Sequence, residues 1–321
     1  MLDFMMQLLF TFDGMLRSAT PLIFCAMAGI FSERSGIVDI SLEGKMLFAA
    51  FIAAIGAHFT GSALYGLGLA MLSGVALSLV HGFATITHRG DQVVSGLAIN
   101  MLAAGVTVVV GHALFRRGGQ TPDLSGAERF NTITLPAVEL IGKIPLIGPI
   151  YEQVISGHNI LVYMAWIAVA VTSFVLYKTS FGLRLRSVGE YPKAADTAGV
   201  SVAWVRYRAL IIGGLLSGFA GAYLAIAAGA SFGRDMSAGK GYIALAAVIF
   251  GNWKPRAALF ACLLFGFLEA VSARIEGVKL FGVAEIPTQL TQAIPYVLTV
   301  LLLAGFIGRP RPPAAIGQPG I

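Results

Sequence analysis

QVVSGLAINMLAAGVTVVVGHALF, residues 92–115, contains no Asp, Glu, Lys or Arg. A helix crossing a hydrocarbon layer of roughly 30 Å needs about 20 mostly apolar residues, because the bilayer interior offers no partner to an unpaired backbone group. This stretch meets that length, and further apolar runs fall at residues 14–32, 43–60, 63–87, 159–178, 207–229, 241–251, 256–274 and 287–307. Over 321 residues the chain is 57% hydrophobic and 12% charged, with a mean hydropathy of +0.81. In a soluble globule about a quarter of the residues are charged. The expected fold class is therefore all-α, a polytopic transmembrane helical bundle of about 8 to 10 spans, in a single domain over residues 1–321. The run 241–251 is too short to cross at about 1.5 Å per residue, so it predicts a half-helix or part of a broken crossing shielded by protein.

A pI near 9.4 would suggest nucleic acid for a soluble protein, but in a membrane protein surplus Lys and Arg mark the cytoplasmic loops. No nucleic-acid partner is expected; the surroundings are membrane lipid. The connection 179–206 carries Arg184, Arg186, Lys193 and Arg206, with Arg208 following, against Glu190 and Asp196. The positive-inside rule makes it cytoplasmic, together with Lys178 and a tail, 308–321, holding Arg309 and Arg311. One crossing earlier, the loop 116–158, with its amphipathic patch TLPAVELIGKIPLIGPI at 134–150, is then extracytoplasmic. The same parity puts Glu33 and Arg34 inside and Met1 outside, whereas a broken span at 37–60 would reverse the count. The opening MLDFMMQLLFTF lacks the basic start and small-residue cleavage site of a signal peptide and is expected to stay uncleaved.

Most chemistries find no residues to run on. A phosphate-cradling G-x-x-x-x-G-K-[ST] loop is absent: Gly44-Lys45 has Asp39 where the first Gly belongs and Met46 where the hydroxyl belongs, and Gly239-Lys240 is followed by Gly241. No H-E-x-x-H motif and no paired metal ligands occur in the sequence, and no catalytic residue, metal site or cofactor is assigned. The histidines, His58, His81, His88, His112 and His158, fall near predicted helix ends and read as interfacial. Cys25 and Cys262 sit within apolar runs and read as packing.

Two features carry information about a path. Residues 39–45, DISLEGK, are echoed with one deletion by residues 235–240, DMSAGK, and an apolar run follows each copy. The crossings between the copies are odd in number, which would invert them, as in transporters whose broken helices meet near the midplane around a substrate path. Polar residues within the spans each cost energy in lipid and must face protein or water. They include Asp39, Ser41 and Glu43 at the entry to one span, Gln92, Ser95 and Asn100 roughly along one helical face, Glu269, and Thr288, Gln289 and Gln292. Packing, not transport, is read from GGLLSGFAG at 213–221, where small residues four apart let neighbouring helices approach closely.

The cytoplasmic connection is more specific. FGLRLRSVGEYPKAADTAG, residues 181–199, has Pro192 at a first helical turn, small residues Ala194, Ala195 and Ala198 on a short helix, and Gly199 where that helix would end. A short helix with a small-residue face suits docking into a cleft on a partner.

With those motifs in view, SERSGIVDISLEGKML at 32–47 resembles the signature of permeases of the simple-sugar and nucleoside ABC importer group, the ribose-type, branched-chain-amino-acid-like inner-membrane translocators. SVGEYPKAADTAGV at 187–200, GKGYIALAAVIFGNWKP at 239–255 and AIPYVLTVLLL at 293–303 are similar to that group's later landmarks in the same order. Asp39 stands where the pattern has Asn, and Lys45 where it is usually apolar. The resemblance implies a transport subunit and not an enzyme, set in the bacterial cytoplasmic (inner) membrane. It would be powered by separate ABC ATPase subunits that bind the ATP, paired with a second permease that is a paralogue or an identical copy, and fed by an extracytoplasmic solute-binding protein. Asp39, Ser41, Glu43, Asn100 and Asp235 are then the candidates for lining or stabilising the translocation path, or equally for holding the broken helices in shape. The resemblance assigns Gly182, Arg184, Glu190, Pro192, Ala194, Ala195, Ala198 and Gly199 to ATPase coupling. The cargo it implies is a nucleoside or related purine, with simple sugars as the alternative. A self-contained secondary transporter, ion-coupled through Asp39, Glu43 or Glu269, is the competing class.

Overall fold

The computed structural model describes residues 2–136, 147–275, 279–280, 284–285, 293, 297 and 311–318. The main helices are α1 (Leu2–Arg34), α2 (Leu42–Thr60), α3 (Ala63–Gly82, prolonged by a π-turn to Thr87), α4 (Gln92–Phe115), α5 (Ile160–Lys178), α6 (Ser180–Glu190), α7 (Pro192–Thr197), α8 (Val202–Tyr223, prolonged by a π-turn to Ala228), α9 (Lys240–Phe250) and α10 (Pro255–Ile275). Among the described residues, seven helices are long and apolar enough to cross a membrane, and α9 is a shorter apolar helix. The remaining apolar run of the sequence, 287–307, with Thr288, Gln289, Gln292 and the motif at 293–303, lies outside the residues described, as does most of the patch at 134–150.

Glycines set the interhelical distances. A Cβ on Gly74 of α3 would lie 2.2 Å from the Gly214 carbonyl oxygen of α8, and one on Gly221 would lie 2.4 Å from the Met46 oxygen of α2. The stripe at 213–221 thus holds α8 in direct backbone contact with α3 and α2, which is how helices associate where lipid removes the hydrophobic drive between them. Gly266 does the same for α10, whose backbone meets Met15 and Ala19 of α1. Around these contacts lie buried Phe24, Met27, Ile30, Phe51 and Phe232. The helices farther out show lipid-sized side chains instead: Met101 and Val109 on α4, Ile167 and Phe174 on α5, and Phe260 on α10 are all exposed.

The ends of the bundle are distinct. We call the end that carries α6 and α7 the coupling end; α1 finishes there, with the Gly189 position of α6 against the Arg34 carbonyl. At the opposite end residues 121–130 run beside 226–232, with Thr121 N–H donating to Phe232 O (3.1 Å) and Leu124 N–H to Ala230 O (2.6 Å). The start of α8 differs from expectation. The helix starts at Val202, so the connection is shorter than 179–206, and Arg206 is fully buried instead of lying in a basic loop. Its Nε donates to Ser35 O at 3.2 Å. A charge near a helix start reads as loop because only packing reveals which face it occupies.

Candidate functional site

Helices α2 and α9 begin beside one another and run apart. α9 extends from Glu43 of α2 to the coupling end, where Trp253 O accepts from Arg34 Nε at 3.1 Å and Trp253 Nε1 donates to Glu33. α2 runs the other way, bringing His58 to 4.0 Å from Glu128 in the segment at the opposite end. Between the copies lie α2, α3, α4, α5 and α8, an odd number of crossings. At about 1.5 Å per residue α9 is about 16 Å long, half of a hydrocarbon layer of roughly 30 Å. It is the half-helix expected from its short apolar run.

The depth of α2 follows from α4. The Val38 N–H donates to Gln92 Oε1 (2.7 Å) at the start of α4, and the Gly44 N–H donates to Asn100 Oδ1 (2.8 Å). Asn100 lies about 12 Å further along α4 than Gln92. Residues 35–41 therefore dip into the bundle before α2 starts, and both helix N-termini open at mid-depth.

Helix N-termini leave orphan N–H groups and a partial positive charge, and here one carboxylate serves both. Glu43, in the first turn of α2, accepts from the N–H groups of Gly239 (2.9 Å) and Gly241 (2.6 Å) and from Ser237 Oγ (2.6 Å) at the start of α9. Gly241 must be glycine for this approach, since a Cβ would come within 2.5 Å of the Glu43 backbone. Asn100 completes the joint. Its Nδ2 donates to Ile40 O (3.0 Å) and to the hydroxyl of Tyr242 (2.9 Å) on α9. Tyr242 remains 44% exposed, and Leu97 and Met101, near Asn100 in the sequence of α4, are exposed as well.

Asp39 and Ser41 lie just beneath. Lys45 Nζ reaches Asp39 at 2.8 and 2.9 Å, both side chains are fully buried, and Ser41 Oγ donates to Asp39. The acid at 39 and the lysine at 45 thus form one ion pair. Next to it His81 bonds Ser95 Oγ (3.0 Å) and Val38 O (3.1 Å) while fully buried. It is a structural group of the interior and not an interfacial histidine; His158, 2% exposed, is likewise interior.

Four of the path candidates, Asp39, Ser41, Glu43 and Asn100, come together at this joint. Asp235 does not: it occupies a turn with φ +53°, its side chain is 64% exposed, and its recorded partner is Arg234 at 3.4 Å. In the second copy the roles pass to Ser237 and Gly239, and Lys240 pairs with Glu269 of α10 rather than with Asp235. The sequence reading did not single out Tyr242, and it placed His81 at the interface instead of beside the Asp39–Lys45 ion pair.

The coupling candidates divide by exposure. Pro192 opens α7 and Gly199, at φ +79°, follows its end as expected. Arg184, Glu190, Ala194, Ala198 and Gly199 are exposed, with Leu183 and Tyr191, which sequence reading did not single out, among the exposed apolar groups. Gly182, Pro192 and Ala195 are buried in the chain's own packing, so they shape α6 and α7 without offering a surface. Behind this surface Arg34 lies 3.8 Å from Glu190. The tail straps across the same place: Ala315 N–H donates to Gly189 O (2.9 Å), Gly317 N–H to Gly36 O (3.1 Å), and Ala314 N–H to Glu190 Oε2 (3.3 Å).

A family model described as branched-chain amino acid transport system / permease component matches residues 11–303. The guanosine ABC transporter permease protein NupQ of Bacillus subtilis (strain 168) is 42% identical over 94% of this chain and 93% of its own. The nucleoside ABC transporter permease protein NupC of Lactococcus lactis subsp. cremoris (strain MG1363) is 36% identical over 95% and 94%. A solved chain described as an inward-facing, metal-chelate type ABC transporter shares the fold with a TM-score of 0.51 at 17% identity, covering 92% of this chain and 84% of that one. A helical bundle with seven candidate spans among the described residues, matched by that model and those relatives along nearly all the chain's length, belongs to the branched-chain amino acid transport system / permease component family and is an ABC-transporter permease.

Proposed function

We propose that this chain forms half of the import path for a nucleoside or related purine across a bacterial inner membrane. Separate ATPase subunits dock on α6 and α7, a second permease, paralogue or identical copy, completes the path, and an extracytoplasmic binding protein delivers the solute. The observation that carries the reading is the joint of α2 and α9, in a chain 42% identical to a guanosine permease. At mid-depth it presents an aromatic ring, Tyr242, beside an amide, Asn100. A purine nucleoside offers a flat base to the ring and several donors and acceptors to polar groups, and contacts of that kind fix orientation in an otherwise apolar lining. Asp39, Ser41, Glu43 and Asn100 hold the two helix starts in register, and the exposed Tyr242, with the half-buried Asn100 beside it, meets the solute.

Coupling runs through short backbone contacts. A push on α6 moves Gly189 against Arg34, and Arg34 leads directly into residues 35–41, whose far end starts α2. The exposed Leu183 and Tyr191, with Arg184, Glu190, Ala194, Ala198 and Gly199, form the ATPase face. Rigid-body rocking of one repeat against the other then opens the joint to alternate sides. The ion-coupled alternative is disfavoured because its candidate carriers are engaged: Asp39 by Lys45, Glu269 by Lys240, and Glu43 by the α9 N-terminus. The substrate class is tested by radiolabelled guanosine import into cells expressing the complete transporter. Competition by unlabelled purine nucleosides but not by ribose supports the reading; competition by ribose alone overturns it in favour of a sugar permease.

A further inference from the structure

Between α5 and α10 lies a cleft of about 830 Å³, away from the joint of α2 and α9 and lined by Trp166, Val169, Phe174, Tyr177 and Leu259 with Lys178, Lys254 and Arg256. Its charge is confined to one end. Lys178 is the last residue of α5, and Lys254 and Arg256 flank the start of α10, so all three cations gather at the coupling end, which the positive-inside reading places in the cytoplasm. Each is exposed, and none has a carboxylate or side-chain hydrogen-bond partner among the described residues. The aromatic and aliphatic groups climb away from that end. Trp166 lies about 18 Å along α5 from Lys178 at about 1.5 Å per residue, close to the roughly 15 Å of one leaflet's hydrocarbon.

We infer that this cleft is a binding site for an anionic phospholipid of the cytoplasmic leaflet. The phosphate sits among Lys178, Lys254 and Arg256, and an acyl chain lies along Phe174, Val169 and Trp166. The charge selects the occupant. An unselective annular lipid has no use for three cations at headgroup level, whereas basic pockets between transmembrane helices on the cytoplasmic side suit phosphatidylglycerol or cardiolipin headgroups. The apolar length of the cleft excludes a free phosphate, which would use only its mouth.

The test uses the full-length chain in phosphatidylcholine nanodiscs, titrated with phosphatidylglycerol brominated on its acyl chains, which quenches tryptophan on contact. The quench lost in W166F isolates the signal of the cleft. The expected result is saturable quenching of Trp166 by brominated phosphatidylglycerol but not by brominated phosphatidylcholine at the same fraction, unaffected by millimolar inorganic phosphate. K254Q/R256Q should weaken the apparent affinity about 30-fold, two basic groups at about 1 kcal/mol each, while R116Q/R117Q, the same charge loss on the other side, leaves it unchanged. Equal quenching by both lipids would show an unselective annular contact. Absence of quenching by either would show the cleft covered by protein, and displacement by inorganic phosphate would show a small-anion site; each of these overturns the inference.

Discussion

Replacing Asp39 by Asn strands the Lys45 ammonium in a fully buried position. In the parent chain that ammonium sits 2.8 and 2.9 Å from the two carboxylate oxygens, with both side chains fully buried. Removing one member of a buried ion pair costs about 3–5 kcal/mol, because the other charge is left desolvated and uncompensated. At about 1.4 kcal/mol per decade, that is a loss of roughly two to three and a half decades in the folded-to-unfolded ratio. K45M should be comparably harmful, leaving the carboxylate with Ser41 as its donor. The double variant D39N/K45M removes both charges and keeps the volumes similar, so it should return to within about 1 kcal/mol of the parent. Equilibrium unfolding in mixed micelles of mild detergent and rising SDS fraction measures all four proteins. Two single variants each within about 1 kcal/mol of the parent, with an additive double, would refute the claim that the residues act as one unit.

Tyr242→Ala should lower import of a purine nucleoside by roughly 5- to 150-fold, the range of about 1–3 kcal/mol measured for base–aromatic stacking; Tyr242→Phe keeps the ring, loses the Asn100 bond and should cost less, and equal defects in both would point to the hydrogen bond instead. Gly241→Ala places a methyl within 2.5 Å of the Glu43 backbone, so transport should fall sharply while the protein still inserts, as read by surface labelling beside uptake. At the coupling face, Leu183→Glu with Tyr191→Ala should reduce ATPase co-purification at least tenfold, whereas a charge at buried Ala195 should reduce the yield of folded permease itself; ATPase retained in full by the double variant contradicts the assigned face.

The helices were legible because the bilayer imposes a length rule on apolar runs, and 92–115 or 63–87 satisfy it without any knowledge of neighbours. The half-helix at 240–250 was legible for the same reason, since its apolar run is half the length required. The stripe at 213–221 was legible as a contact face because spacing alone puts its small residues on one side of α8. The site was legible in part. Glu43 and Asn100 stood out as polar groups inside apolar spans, but the identity of their partners depends on two helix starts that meet only in three dimensions. Matching letters did not bring Asp235 to the joint, because the second copy keeps the sequence of the turn while its Asp sits at positive φ with an exposed side chain. His81 and Arg206 were misjudged because a polar residue near a helix end looks the same in sequence whether it faces headgroups or a neighbouring backbone. The strap from Ala315 to Gly189 joins residues far apart in the chain and left no local signal.

The central claim, a translocating permease driven by a separate motor, is tested most directly in sealed proteoliposomes, by guanosine uptake with this chain alone and with its full transporter. The account predicts no uptake by the chain alone, and uptake by the full assembly that requires ATP and is indifferent to an ionophore. Guanosine accumulation by this chain without ATPase, abolished by the ionophore, would contradict it.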